Sequence, residues 1–193
     1  MVKNRPTVAL FGGSFDPPHK GHQAIVKRLS ALKDIDNIIV MPAFLNPFKK
    51  ETLADASTRL AWCRKIFDDP RVIVSDYEIS QGRPVYTIET MEALQKHYDV
   101  KYLVIGADNL ATIEKWRGFA TLNEKVTWLV FTREGVSPEC HKLKQCQLLP
   151  LDSPVSSTKI RSGTQLEEVD ERILHEVKDI MLYKDNHDYK RES

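Results

Sequence analysis

His19 and His22 stand three residues apart in Pro18-His19-Lys20-Gly21-His22, at the head of a segment in which Ile25, Leu29 and Leu32 recur at helical spacing. Two imidazoles so spaced at a helix start can face one ligand held over the first turn. The residues before them fit the same purpose. Val8 to Phe11 is a short apolar run of strand type, Gly12 and Gly13 let a ligand approach the backbone, and Pro17 and Pro18 stiffen the turn that follows. Strand, glycine loop and helix N-terminus together gather backbone N–H groups around an anion. The pattern is neither G-x-G-x-x-G nor G-x-x-x-x-G-K-[ST], so the dinucleotide fingerprint and the P-loop are both excluded. An isolated H-x-G-H is more often a capping histidine beside a packed one. Here the strand, glycines and prolines favour a phosphate ligand.

A second group of donors lies far along the chain. In Val155-Ser156-Ser157-Thr158-Lys159-Ile160-Arg161 three consecutive hydroxyls precede a short helical stretch, and Arg161 follows one turn later with the side chain suited to bidentate phosphate contact. Taken alone, Ser-Ser-Thr is an ordinary helix cap. Between these groups, Tyr102 to Ile105 runs into Gly106-Ala107-Asp108, which sets a carboxylate at a strand's carboxyl edge, within reach of a ribose or as a cap. Trp116 offers a flat indole at a loop without the apolar neighbours that surround Trp128. Thr87 reads as the N-cap of a helix, with Thr90 adding a second hydroxyl beside its free N–H groups. Lys49 and Lys50 sit in a proline-bounded loop and divide evenly between solvated charges and phosphate contacts. Arg59 and Arg64 read as surface charges on a helix over 56–67, capped by Asp55 or Ser57.

Those side chains need a scaffold. Apolar runs at 8–11, 37–41, 72–74, 102–105, 126–131 and 147–151 alternate with helical patterns, which predicts a Rossmann-like, doubly wound α/β fold with a mainly parallel sheet and helices on both faces. Residues 76–81 read as irregular and 132–144 as a turn-rich excursion. A closing amphipathic helix spans 167–182, and a polar tail from Lys184 frays. The 193 residues suit one domain, 1–193, with C-terminal helices from about 157 packing on it. Twenty-eight basic against twenty-seven acidic residues leave a net charge of +1, which argues against a nucleic-acid partner. No apolar run could span a bilayer, and no leader precedes the first strand, so no membrane partner and a cytoplasmic location are expected. Cys63, Cys140 and Cys146 have neither zinc-ligand spacing nor an even count, and three reduced thiols are expected. A homo-oligomer is compatible with all of this.

Gly12-Gly13-Ser14-Phe15-Asp16-Pro17 followed by His19-x-Gly21-His22 resembles the signature of the H-x-G-H nucleotidylyltransferases, and Val-Ser-Ser-Thr-x-Ile-Arg resembles their second phosphate site. Three middle segments, Pro84-x-Tyr86-Thr87, Ile105-Gly106-Ala107-Asp108 and Lys115-Trp116, are similar to those of the nicotinate-nucleotide adenylyltransferases. That resemblance implies transfer of AMP from ATP to nicotinate mononucleotide, with release of pyrophosphate and with Mg²⁺ carried on the ATP rather than at a protein metal site. It implies His19, His22 and Arg161 as the catalytic donors. ATP would bind Gly12, Gly13, Ser14, Phe15, His19, His22, Gly106, Asp108, Ser156, Ser157, Thr158 and Arg161. Nicotinate mononucleotide would bind Lys49, Tyr86, Thr87 and Trp116. Two positions depart from the pattern: Val85 replaces a serine, and Phe48 stands where the family usually has histidine. The alternatives are a pantetheine-phosphate adenylyltransferase, which would share the two ends but lack the middle segments, and a non-catalytic nucleotide-binding module.

Overall fold

The computed structural model describes residues 5–46, 52–133, 140–151 and 155–188. Six strands form one sheet: β1 (Thr7–Gly13), β2 (Asn37–Pro42), β3 (Val72–Val74), β4 (Asp99–Gly106), β5 (Thr127–Arg133) and β6 (Cys146–Leu151). Their spatial order is β3-β2-β1-β4-β5-β6. Every neighbouring pair is parallel. The α-helices among the described residues are α1 (Lys20–Ser30), α2 (Ala56–Ile66), α3 (Tyr77–Ser80), α4 (Thr87–Leu94), α5 (Phe119–Lys125), α6 (Ser157–Arg161) and α7 (Glu171–Asp188).

Strand period explains the two layers. In β1, Ala9 and Phe11 enter a core shared with α1, α2 and α7, whereas Val8 and Leu10 enter a second core shared with α4 and α5. Ile38 and Val40 against Ile39 and Met41, and Tyr102 and Val104 against Leu103 and Ile105, repeat the division. Both faces are therefore dry, as an all-parallel sheet requires. The chain winds outward from β1 to β3, then returns to β4 on the other side of β1. That reversal puts the topological switch point between the carboxyl ends of β1 and β4, where such sheets bind ligands. Gly13 and Gly106 end those two strands.

Several local expectations need correction. The stretch 76–81 is not irregular: it holds the one-turn helix α3, closed by Ser80 N–H to the Asp76 carbonyl. Tyr86, not Thr87, caps α4. Asp55 settles the α2 cap by accepting the Thr58 N–H at 2.7 Å. The closing helix begins only after a 3₁₀ turn at Leu166–Glu168, where Asp170 takes the Arg172 N–H at 3.0 Å. It continues past Lys184 to Asp188, and the Lys184 ammonium donates to the Thr52 carbonyl at 2.7 Å, so the helix does not fray where polarity alone suggested. Cys140 and Cys146 are joined as a disulfide, which corrects the expectation of three reduced thiols. Cys63 is free and buried, and burial pushes its thiol pKa up. No described helix is long and apolar enough to cross a membrane.

Candidate active site

The carboxyl end of β1 separates its two glycines by role. A Cβ on Gly12 would meet nothing within 4 Å, and Gly12 is exposed, so its bare backbone faces open space. A Cβ on Gly13 would stand 3.1 Å from the Phe15 ring. Phe15 itself turns the chain at φ 47°, a left-handed conformation. Its ring, 2% exposed, packs against Phe11, His22 and Phe67 at centroid distances of 5.3, 4.9 and 5.9 Å. The expectation that Phe15 touches ATP is thereby limited to its backbone, because the ring is part of the core.

The loop after Gly13 is held by a residue the sequence reading put on the surface. Arg59 is 1% exposed, not a surface charge. Its guanidinium donates to the carbonyls of Ser14 (2.6 Å), Ala43 (2.8 Å), Phe44 (2.7 Å) and Ala54 (3.2 Å). Burial lowers its pKa, and the carboxylate of buried Asp16 offsets this. Asp16 in turn accepts the N–H groups of Leu53 and Ala54 at 2.7 and 3.0 Å. One guanidinium and one carboxylate thus join the β1 loop to both sides of the 43–54 connection.

His19 is the N-cap of α1, and its backbone N–H donates to His22 Nδ1 at 3.2 Å. The two rings stack with centroids 3.8 Å apart. Burial, and then the neighbouring His19, hold His22 well below the usual histidine range. Neutral His22 with Nδ1 accepting carries its proton on Nε2, which is thereby a donor. Gly21 makes this packing possible: a Cβ there would lie 2.7 Å from Val155 Cγ1 and 3.0 Å from the His19 ring.

Val155 leads into α6, and the hydroxyls there are structurally engaged. Ser156 caps the helix by accepting the Lys159 N–H at 3.2 Å, and Ser157 donates to the Pro17 carbonyl at 3.0 Å. Arg161 donates to the Asp16 carbonyl at 2.6 Å and to Thr158 Oγ1 at 3.2 Å, with its Nη1 3.9 Å from the Asp16 carboxylate. The histidine motif and the Ser-Ser-Thr motif, more than a hundred residues apart in sequence, are therefore stitched together through the carbonyls of Asp16 and Pro17.

On the other side of the glycine edge opens a cleft of about 330 Å³. Gly12, Gly13 and Ser14 form one wall, Gly106 and Asp108 another, and Tyr86, Thr87 and Trp116 a third. Phe15, His19, His22, Ser156, Ser157, Thr158 and Arg161 are not among the lining residues and belong to the adjoining histidine side of the loop. Asp108 folds back over Gly106, whose Cβ would stand 2.5 Å from its carboxylate. Trp116 does line the cleft, yet its ring also packs edge-on against Trp128 at 6.2 Å, so it has the apolar neighbour it was expected to lack. The Thr90 hydroxyl does not sit beside the helix start; it donates to the buried Glu78 carboxyl at 2.7 Å. Glu78 also lines the cleft, and burial pushes its pKa up to about 7. Lys49, Lys50 and Phe48 lie outside the described residues. Glu78 and Arg117 were not singled out by sequence, Arg59 was read as a surface charge, and Asp16 and Gly21 were given no role of their own. Only Asp16 and Gly21 had a signal, as fixed letters of the first motif.

The sequence pattern of the cytidylyltransferase-like family matches residues 10–163. The chain is 47% identical over 176 residues to a "probable nicotinate-nucleotide adenylyltransferase" of Sulfurovum sp., covering 91% of this chain and 94% of that one. It is 47% identical over 183 residues to a protein of the same description from Sulfurimonas denitrificans, covering 94% and 97%. Among solved structures, Plasmodium falciparum nicotinic acid mononucleotide adenylyltransferase complexed with NaAD aligns with a TM-score of 0.72 over 95% of this chain and 98% of its own. Its 19% identity makes that a likeness of fold.

Proposed function

This chain belongs to the nicotinate-nucleotide adenylyltransferases of the cytidylyltransferase-like family, and we propose that its cleft holds the acceptor mononucleotide while the histidine pair and α6 hold the triphosphate. The enzyme transfers the adenylyl group of ATP to nicotinate mononucleotide, giving nicotinate adenine dinucleotide and pyrophosphate, a step of NAD biosynthesis. The observation that carries the assignment of roles is the single loop from Gly12 to His22. It forms a wall of the cleft at one end, carries both imidazoles at the other, and is tied to Ser157 and Arg161 between them.

A phosphate oxygen of the mononucleotide attacks the α-phosphorus of ATP, and the bond to the bridging oxygen of the departing pyrophosphate breaks. The attacking oxygen is already ionised at neutral pH, so no side chain has to remove a proton. Work remains in aligning two anions and in supplying donors where charge develops. Gly12 offers open backbone on the wall it shares with Gly13, His22 offers an Nε2 donor, and Arg161 keeps N–H groups beyond those bonded to Asp16 and Thr158. Backbone and hydroxyl groups of Ser156, Ser157 and Thr158 complete the clamp. In the cleft, Trp116 and Tyr86 provide faces for the pyridine ring, and Asp108 at the end of β4 accepts from a ribose hydroxyl.

Imidazoles, hydroxyls and a guanidinium suit phosphate oxygens better than a hard cation, so Mg²⁺ travels with the nucleotide, neutralising triphosphate charge through oxygen and water ligands. Residues 1–193 act as one nucleotidylyltransferase domain working in the cytoplasm on small molecules. The reading is tested by pyrophosphate release from ATP with nicotinate mononucleotide, nicotinamide mononucleotide and phosphopantetheine as acceptors. Turnover with nicotinate mononucleotide is expected; activity confined to phosphopantetheine would overturn the acceptor assignment.

A further inference from the structure

The disulfide between Cys140 and Cys146 closes a loop, residues 140–146, just before β6. Both cysteines are partly buried, against the core layer that also receives Trp116, Phe119 and Trp128. Leu143 at the middle of the loop is buried in that layer, and its N–H donates to the Cys140 carbonyl at 2.8 Å. From there two routes lead to the back of Trp116. Asn123 on α5 donates to the Lys142 carbonyl at 3.1 Å, and its side-chain oxygen accepts the Lys144 N–H and the Trp128 indole N–H, each at 3.0 Å. Trp128 is fully buried and is the ring against which Trp116 packs edge-on. On the outside, the Lys142 ammonium pairs at 2.7 Å with Glu114, two residues before Trp116. The third cysteine, Cys63, is buried in the core on the opposite face of the sheet, so Cys140 and Cys146 have only each other as partners within the chain.

We propose that Cys140 and Cys146 are a reversible redox site that controls the acceptor cleft: the disulfide steadies Trp116 from behind, and its reduction loosens that support. The proposal rests on the placement of the acceptor in the cleft and adds its regulation. In the cytoplasm, the compartment proposed above, a disulfide is a transient, sensing bond rather than a permanent clip. The reductant is a dithiol. Its thiolate attacks one sulfur of the pair, the Sγ–Sγ bond breaks, and its second thiol then displaces the protein from the mixed disulfide. Two electrons and two protons end on Cys140 and Cys146, and the reductant leaves as its own disulfide. A disulfide oxidant such as oxidised glutathione reverses this by two exchanges that release two molecules of glutathione. The contacts behind Trp116 are weak one by one, an exposed ion pair and a few hydrogen bonds. They hold while the closed loop keeps Lys142 and Lys144 in register, and opening it returns the chain freedom that the cross-link removes. The histidine pair and α6 are braced elsewhere, through Asp16 and Pro17, so the triphosphate side does not depend on the loop.

The test compares the whole chain reduced with dithiothreitol and oxidised with oxidised glutathione, the state of each cysteine being read by alkylation and mass spectrometry. Reduction is expected to raise KM for nicotinate mononucleotide about 5- to 20-fold, with kcat and KM for ATP within about twofold, and reoxidation to restore it. Opening so short a loop should also lower Tm by roughly 5–9 °C. A Cys140→Ser, Cys146→Ser double variant should rest at the reduced-state KM and ignore both reagents. A pair that reduces and reoxidises without moving the acceptor KM would overturn the proposal, as would cysteines that stay unlinked in oxidised glutathione. Trp116→Ala separates the two readings: if it raised KM for ATP and not for the mononucleotide, the placement of the acceptor would fall instead.

Discussion

Replacing Arg59 by methionine keeps the length and apolar stem of the side chain and removes the guanidinium. The consequence can be worked from its contacts. Four main-chain carbonyls, those of Ser14, Ala43, Phe44 and Ala54, lose their charged donor at a site only 1% exposed, and buried Asp16 loses the favourable charge of a buried neighbour. Breaking a buried ionic arrangement by removing one member costs about 3–5 kcal/mol, since the partners stay buried without compensation. Asp16 keeps two backbone N–H donors and Arg161, which places the loss toward the lower end of that range. For a chain of this size about 3 kcal/mol lowers Tm by roughly 6–12 °C and leaves a folded protein at 25 °C. Activity falls further than stability implies, because the Ser14 carbonyl belongs to the loop that carries both the cleft wall and the histidines. A displacement of about 1 Å there costs on the order of a hundredfold in kcat. Arg59→Lys restores the charge but not the fork that reaches four carbonyls, and is expected to recover less than half of the lost stability. Urea unfolding and pyrophosphate release are the assays. An Arg59→Met protein within about 1 kcal/mol of wild type with unchanged kcat would refute the buttress outright.

His22→Ala should lower kcat by about 100- to 1,000-fold at saturating ATP, the cost of one donor aimed at developing charge; a loss of ATP affinity alone, measured by calorimetry, would instead describe a binding module. Gly21→Ala should destabilise, although alanine is the better helix former by up to about 1 kcal/mol, because the added methyl meets Val155 at 2.7 Å; a raised Tm would show that α1 and Val155 part freely. Glu78 keeps a proton in the folded state up to about pH 7 that it loses near 4.5 when unfolded. The folded state therefore binds the extra proton, and stability falls as pH rises from 4.5 to 7, by at most about 3 kcal/mol. Glu78→Gln should flatten that slope when urea midpoints at pH 5 and pH 8 are compared; parallel slopes for the two proteins would discard the buried acid.

The sheet and the two segments that meet beyond the end of β1 were legible because both rest on local pattern. Unbroken apolar runs, glycines at strand ends, and hydroxyls before a helix can be read without knowing what lies opposite. What escaped reading depends on distant partners. Arg59 sits on an amphipathic helix at a position that could equally face water, and nothing in its neighbours announces the carbonyls of Ser14, Ala43 and Phe44. Glu78 looked like part of a loop because a four-residue helix is too short to show periodicity. Trp116 seemed isolated because Trp128, its packing partner, lies twelve residues on in a strand. The glycine roles were half visible: an open Gly12 follows from its place at a strand's carboxyl end, but Gly13 and Gly21 answer to the rings of Phe15 and His19.

The arrangement also bears on how acceptor choice and chemistry can vary separately. The Gly12–His22 loop is common to both, and it is braced from beneath by Arg59 and from the side by Arg161 through Asp16. The opposite wall of the cleft, Tyr86 with Trp116, hangs on α4 and the Gly118 turn, and no hydrogen bond among the described residues ties it to that brace. Substitutions on the wall should therefore move acceptor KM while sparing the ATP side. Substitutions in the brace should lower kcat with every acceptor at once. Sites without shared partners add independently, so an Arg59→Lys, Trp116→Ala double variant should show the product of the two single losses. A marked departure from that product would mean the brace extends to the acceptor wall through the main chain of β1 and β4.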